Sequence, residues 1–314
     1  MAYDSINVAM VKQYSANVQH MLQQRGSRLR NAVQLETGKI GEEVFFDRVD
    51  ETAAQKVTSR HADSPLMDVP HERRRVSPVD YDWGKLVDNP DRLRLIMDPT
   101  SAYVESAAMA MGRAIDEEII SAAFGNSYLS TSSSTTMDAT TFTNDGGTDI
   151  YREGAYSSGA WVAGDNTGTA VGLTVDKLIR ARKVLAANEA DEYDMGGRPQ
   201  MFIACSSAGI ESLLLENKVQ SADYNVIKAL VAGEVDSFMG FQFIRTEKTT
   251  VSSNVEEAIA FTRSALGLCI WEDIVARVTE RPDKRYSQYI YYRMTIGATR
   301  LDGKKMVRIY MKNA

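Results

Sequence analysis

Few residues in this 314-residue chain could do chemistry at neutral pH: three histidines, two cysteines, and serines placed beside apolar runs. The turn that most resembles a nucleophile site is Cys205-Ser206-Ser207, between the strand-like run Met201–Cys205 and a helical stretch. A nucleophile elbow would read Gly-x-Ser-x-Gly, which is absent there, and serines at a helix start ordinarily accept the first free amides. His20, His61 and His71 show no His-x-x-x-His or Cys-His spacing, so neither a metal site nor a general base can be assembled from them. Gly164, Gly168 and Gly172 lack the lysine and the preceding strand that a phosphate loop needs. Cys205 and Cys269 each sit in an apolar run, as small buried hydrophobes do. The pairs Glu117-Glu118 and Glu256-Glu257 read as solvated helix faces. No enzymatic activity and no cofactor are expected. What remains is charge: Arg25, Arg28 and Arg30 near the start, and Arg73, Arg74 and Arg75 further on, in a chain of net charge −6.

These arginines must be held by elements, and the longest of those is predicted at residues 98–125. Asp98 caps it, Pro99 suits the first helical position and Gly125 stops it. Val104, Ala108, Met111, Ile115, Ile119 and Ala122 form an apolar stripe along an axis on the order of 40 Å long. Ahead of it, residues 5–24 read as an amphipathic helix. The first 40 residues hold five Lys/Arg against Asp4 and Glu36, which makes a basic arm.

Residues 43–49 and 79–83 alternate as half-exposed strands, and between them lies a proline-punctuated extended loop carrying the second arginine run. Residues 126–172, rich in Ser, Thr and Gly, read as a surface insertion. An α/β lobe follows. Thr174 caps a helix to about Asn188 with Val175, Leu178, Ile179, Leu185 and Ala186 inward. Strand 201–205, a helix capped by Ser206-Ser207, a short helix at 224–231, and strands at 241–245, 258–261 and 266–271 complete the lobe. Strands at 274–279, 289–296 and 306–311 make the tail, with Asp302-Gly303 as a hairpin turn. The apolar runs are far shorter than the roughly 18 residues of a membrane span, and the acidic N-terminal stretch does not resemble a secretory signal, so the protein is expected in the cytoplasm.

The order of arm, long loop, long helix, α/β lobe and returning strands, with the local wording of the chain, resembles the major capsid proteins of tailed bacteriophages, of the Hong Kong 97-type fold. The wording is Tyr81-Asp82-Trp83, Asp98-Pro99-Thr100, TVDKLI at 174–179, SADYN at 221–225, KALV at 228–231, GFQFI at 240–244, ERPDK at 280–284 and GATR at 297–300. The resemblance implies an α+β subunit with an N-terminal arm at 1–40 and an extended β-hairpin loop at 41–97 lying over the next subunit. A peripheral domain at 98–172 would hold the spine helix 98–125 and the insertion 126–172, an axial domain would span 173–270, and peripheral strands 271–314.

It further implies a coat protein that self-assembles as pentamers and hexamers into the icosahedral head around double-stranded DNA, found in the virion capsid and assembled in the host cytoplasm. The implied partners are copies of itself, a portal protein, a separate scaffolding protein, a decoration protein, and the packaged DNA through weak non-specific contacts, with no membrane. On this reading Arg73, Arg74 and Arg75 are expected to meet Asp116, Glu117 and Glu118 of a neighbour's spine, and Arg25, Arg28 and Arg30 to face the genome. An encapsulin-like shell around a cargo enzyme is the alternative within the same fold. A soluble hydrolase using Cys205 or Ser207 ranks behind both.

Overall fold

The computed structural model describes residues 24–49, 52–60, 64, 66–88, 100–131, 137–151, 153–157, 160–162, 171–190, 200–216 and 237–313. The expected helix at 5–24 (all but its last residue), the helix at 224–231, the cap at Asp98-Pro99 and the turn at 196–199 lie outside them.

Among the described residues the order begins with strands β1 (Gln34–Thr37), β2 (Val44–Val49), β3 (His71–Val76) and β4 (Val79–Val87), followed by helix α1 (Thr100–Phe124). Short strands β5 (Ser127–Thr131), β6 (Asp138–Thr140), β7 (Thr148–Ile150), β8 (Ala155–Ser157) and β9 (Ala160–Val162) come next. Then follow α2 (Val175–Ala187), β10 (Met201–Cys205), α3 (Ser207–Leu214), β11 (Ser237–Phe238), β12 (Phe241–Arg245), β13 (Thr250–Ser252) and β14 (Val255–Thr262). The chain closes with β15 (Leu266–Arg281), β16 (Ser287–Arg300) and β17 (Met306–Lys312).

By its contacts the chain divides into two units. The smaller contains Tyr81–Arg113 and Ile274–Met294 with residues 24–26. Its β4 and β16 are tied by Tyr291, whose hydroxyl donates to Asp82 at 2.7 Å, and by an edge-on Trp83–Tyr292 pair with centroids 6.3 Å apart.

The larger unit contains Ser27–Asp80, Ala114–Asp273 and the chain from Thr295 on. Its main sheet has the order β11-β12-β10-β14-β17-β7, with β13 on β14. Ile203, Phe241, Ala258, Ala260, Val307 and Ile309 from that sheet pack with Leu178, Ala181 and Leu185 of α2 and Leu213 of α3. Each fully buried leucine there contributes on the order of 2 kcal/mol. A second sheet runs β2-β3-β5-β6.

The topology departs from the sequence reading in three places. The partner of β2 is β3, in antiparallel register from Val44↔Val76 to Val49↔His71, whereas residues 79–83 open β4 in the sheet β1-β15-β16-β4. The arginine run is therefore itself a strand, hidden from a hydrophobicity pattern because both faces carry arginine. Next, β15 runs unbroken for 16 residues through the expected domain boundary at 270/271. Finally, Asp302-Gly303 does not close a hairpin. Asp302 caps a 3-10 turn by accepting from the Lys304 amide at 3.0 Å, and β17 pairs with β14 and β7 in the main sheet, away from the peripheral strands with which the sequence reading groups it. A period of two identifies a strand but not its neighbours.

Candidate assembly surface

The hairpin β2–β3 has a base and a tip, and the pleat sorts the base residues by face. On one face Val44, Phe46 and Val76 are buried with Cys269, packed against Trp271 and Leu301. On the same face is Arg74, 1% exposed, whose Nη2 pairs with Asp145 and whose Nη1 donates to Ser127 Oγ at 2.6 Å. On the other face Arg73 donates to Asp47 at 2.7 Å in a solvent-exposed pair. Arg75 pairs with Glu43 at 3.0 Å and lies 4.6 Å from the Tyr128 ring centroid. Arg48, also at the base, bridges Glu72 and Asp302.

Asp145 is shared. Arg300, fully buried at the end of β16, donates from Nε to Asp145 Oδ2 at 2.7 Å and from Nη2 to Ser127 Oγ at 3.1 Å and the Thr140 carbonyl at 2.9 Å. Its Nη1 donates to the carbonyls of Ala123 and Gly125, at 3.1 and 2.8 Å. These carbonyls belong to the C-terminal end of α1, where unpaired oxygens and the helix dipole favour a cation. Burial pushes the Arg300 guanidinium below its ordinary range, with Arg74 and Arg308 adding to the effect and Asp145 opposing it. The residue that follows α1 is Gly125, where a Cβ would stand 2.7 Å from the Ser121 carbonyl oxygen.

Residues 137–150 are thus no surface excursion. They supply the carboxylate shared by two buried arginines, and strand β7 of the main sheet. They also supply Phe142, 3% exposed, with the Arg300 and Arg308 guanidinium carbons 5.6 and 5.1 Å from its ring centroid. Their polar composition concealed this, since the buried groups are an aspartate, one ring and Ile150 among serines, threonines and glycines.

Asp116 is the second correction among the expected site residues. It is fully buried on α1, and its carboxylate accepts from the Ser27 hydroxyl at 2.5 Å, the Leu29 amide at 3.0 Å and the Arg28 amide at 3.0 and 3.1 Å. The carboxylate thereby caps the start of the 3-10 turn Arg30–Ala32, with Leu29, Ala32 and Val33 buried behind it. A buried carboxylate bonded in this way within its own chain cannot reach a neighbour, and neither can Arg74, 1% exposed and paired with Asp145. Glu117 remains half exposed and pairs with Lys248 at 2.5 Å, and Glu118 is partly buried beside it. The buried face of α1 includes Ala107, Met111, Ile115, Ile119 and Ala123, while Ala108 of the expected stripe is exposed and Ala122 partly so.

The basic group at the start is spread over several contacts. Arg28 donates to the Arg245 carbonyl at 2.6 Å, and Arg30 makes two bonds to Asp273, at 2.7 and 3.3 Å. Arg25 stands 79% exposed, 4.0 Å from Glu105.

The turn at Cys205 is built as a cap. Ser206 accepts from the Gly209 amide at 3.4 Å at the start of α3 and donates to Glu256 at 2.5 Å. Burial and the nearby Glu256 and Glu247 push the Cys205 thiol up to about 12. Glu256 lies fully buried in β14, so it is not on a solvated helix face. On α2, Thr174 is the N-cap, and the inward position next to Leu178 belongs to Lys177, while Ile179 points out. Lys177 Nζ donates to the carbonyls of Val171, Gly172 and Tyr310 at 2.9, 3.0 and 3.0 Å, and burial pushes its ammonium down to about 8, against the pull of Glu153.

The tip contrasts with all of this. Residues 52–60 and 66–70 carry no regular structure and are exposed throughout, with Val57 at 80% and Leu66 at 99%. Among the described residues no helix is long and apolar enough to cross a membrane, and no group of acidic, histidine or cysteine side chains is gathered as for a metal ion.

Comparison with solved structures returns capsid subunits with near-complete mutual coverage. The "Mycobacterium phage Che8" structure superposes with a TM-score of 0.68 at 16% identity, covering 96% of each chain. "Cyanophage Pam1 capsid asymmetric unit" gives 0.69 at 14% identity, covering 100% of both. "Capsid of native GTA particle" gives 0.67 at 14% identity, covering 99% of each. At these identities the likeness establishes the fold, which is the Hong Kong 97-type fold of tailed-phage capsid subunits. No curated protein sequence matches. The family model described as "Phage capsid protein", however, matches residues 6–313, nearly the whole chain, and so the chain belongs to the phage capsid proteins.

Proposed function

We propose that this protein is the major capsid protein of a tailed phage, a non-enzymatic subunit whose copies close an icosahedral shell around double-stranded DNA, each hairpin tip covered by a neighbour. The observation that carries this reading is the distribution of exposed apolar side chains. Nine of the seventeen large hydrophobics exposed among the described residues fall between Leu35 and Val79, and five of those lie on or beside the tip: Val49, Val57, Leu66, Met67 and Val69. So concentrated a set of apolar groups marks a surface that a partner covers. Many modest contacts of this kind, repeated under closed symmetry, hold a shell.

With Arg74 and Asp116 buried, the intersubunit ion pairs of this reading fall to Arg73 and Arg75 on one copy and Glu117 and Glu118 on another. Arg25, the most exposed of the basic group, is the genome-facing candidate best placed to act, ahead of Arg28 and Arg30. A separate scaffolding protein, a portal protein, a decoration protein and assembly in the host cytoplasm complete the role. Light scattering after size exclusion, with microscopy of the same fractions, tests it together with trypsin cleavage at Lys56 and Arg60. Free subunits are expected to be cut there and closed shells to resist. A chain that stays monomeric with its scaffold, or shells cut as readily as subunits, would refute the reading.

A further inference from the structure

The tip needs a seat, and the structure offers one beside β1. Among the described strands β1 stands at the end of its sheet, paired only with β15 in parallel register from Gln34↔Gly267 to Thr37↔Ile270. A strand in that position presents a row of amides and carbonyls on which a further extended segment can add. Next to it opens a groove of about 300 Å³ lined by Gln34, Leu35, Gln200, Arg263 and Ser264. Leu35 is 38% exposed in its wall, and Arg263, at the start of the turn Arg263–Ala265, is an exposed cation.

An occupant of matching length, polarity and charge is carried by the chain itself. Residues 66–70, Leu66-Met67-Asp68-Val69-Pro70, are exposed and follow Pro65. Proline has no amide hydrogen, so the two prolines confine strand pairing to the four residues between them. β1 is also four residues long. In an extended segment Leu66 and Asp68 fall on one face and Met67 and Val69 on the other. Setting Leu66 against Leu35 brings the Asp68 carboxylate to the groove side, where Arg263 supplies the opposite charge. Among the described residues of the single chain, residues 66–69 pair with no strand, and the proposed seat takes them from a second copy.

We propose that residues 66–69 of one copy add as a strand along β1 of a second copy, with Leu66 on Leu35 and Asp68 on Arg263. This rests on the shell reading above and names the surface that covers the tip. Two measurements test it. In shells of the Leu35→Cys/Leu66→Cys double variant, oxidation is expected to link chains into a ladder beyond dimers, whereas either single variant gives none, the native cysteines being buried. In the charge exchange, Arg263→Glu and Asp68→Arg alone are each expected to lower shell yield about tenfold, and together to restore it to within about threefold. Shells that shield Lys56 and Arg60 from trypsin but give neither ladder nor rescue overturn this seat and leave the overlap itself standing. Wild-type chains that form no shell, or shells with an open tip, overturn both.

Discussion

At the hairpin base Arg48, Arg74 and Arg75 each find an acid inside their own subunit, while along the tip of the same hairpin Val57, Leu66 and Met67 face solvent. The two regions are adjacent in sequence but answer different physical requirements. A base that must aim the hairpin needs directional contacts, and guanidinium groups paired with carboxylates provide them, the Arg74–Asp145 pair being desolvated as well. A tip that is to be covered later gains from the opposite arrangement, apolar and without internal partners, because its burial then contributes to association instead of to folding.

The sharpest way to break this contrast is Asp145→Asn, which leaves Arg74 and Arg300 buried without their shared carboxylate. The expected loss is about 3–5 kcal/mol by denaturant unfolding of the subunit, the range for orphaned buried charges. Asp116→Asn removes the charge, but not every acceptor, from the cap over residues 27–29. A loss of about 1–3 kcal/mol is expected, together with faster amide exchange at Leu29 and Arg30 and unchanged exchange in β10.

Lys177 sharpens the comparison from a third place, since it is a buried cation held by three carbonyls, with no carboxylate bonded to it among the described residues. Its folded value of about 8 lies below the ordinary lysine value of 10.5, so between these values the unfolded chain binds more protons and stability rises with pH. The difference in unfolding free energy between wild type and Lys177→Met is expected to shift in favour of wild type by about 1–2 kcal/mol from pH 7.5 to 9.5. A flat difference would show that the three carbonyls hold the ammonium at its ordinary value. The smallest effect is expected for Arg73→Ala, which breaks a solvent-exposed pair with Asp47: within about 0.5 kcal/mol in the subunit. A large loss there would mean that internal contacts hold the outer face of the base as firmly as the inner one.

Much of the scaffold was legible beforehand. The helix α1 follows from its i, i+4 stripe and the Gly125 stop, α2 and α3 from Thr174 and Ser206 ahead of apolar periodicity, and β10 and β12 from short apolar runs. All of these are local signals, readable because neighbouring residues along the chain decide them. The candidate site was legible only as a set of charges. Nothing in Arg73-Arg74-Arg75 distinguishes the central residue until β2 and β5 flank the strand and the pleat turns one guanidinium inward and two outward. Asp116 and Asp145 resembled surface acids because a carboxylate carries no mark in the sequence that its donors lie 87 or 155 residues away.

The sequence by itself therefore determined the long helix, the capped helices of the lobe, several of its apolar strands and the capsid-type order, since these rest on local periodicity, capping and composition. Only the tertiary structure decided which charges are internal, which strand partners β2, and that residues 137–150 belong to the interior. Those outcomes depend on which distant groups desolvate one another, and that energy is set by packing in three dimensions.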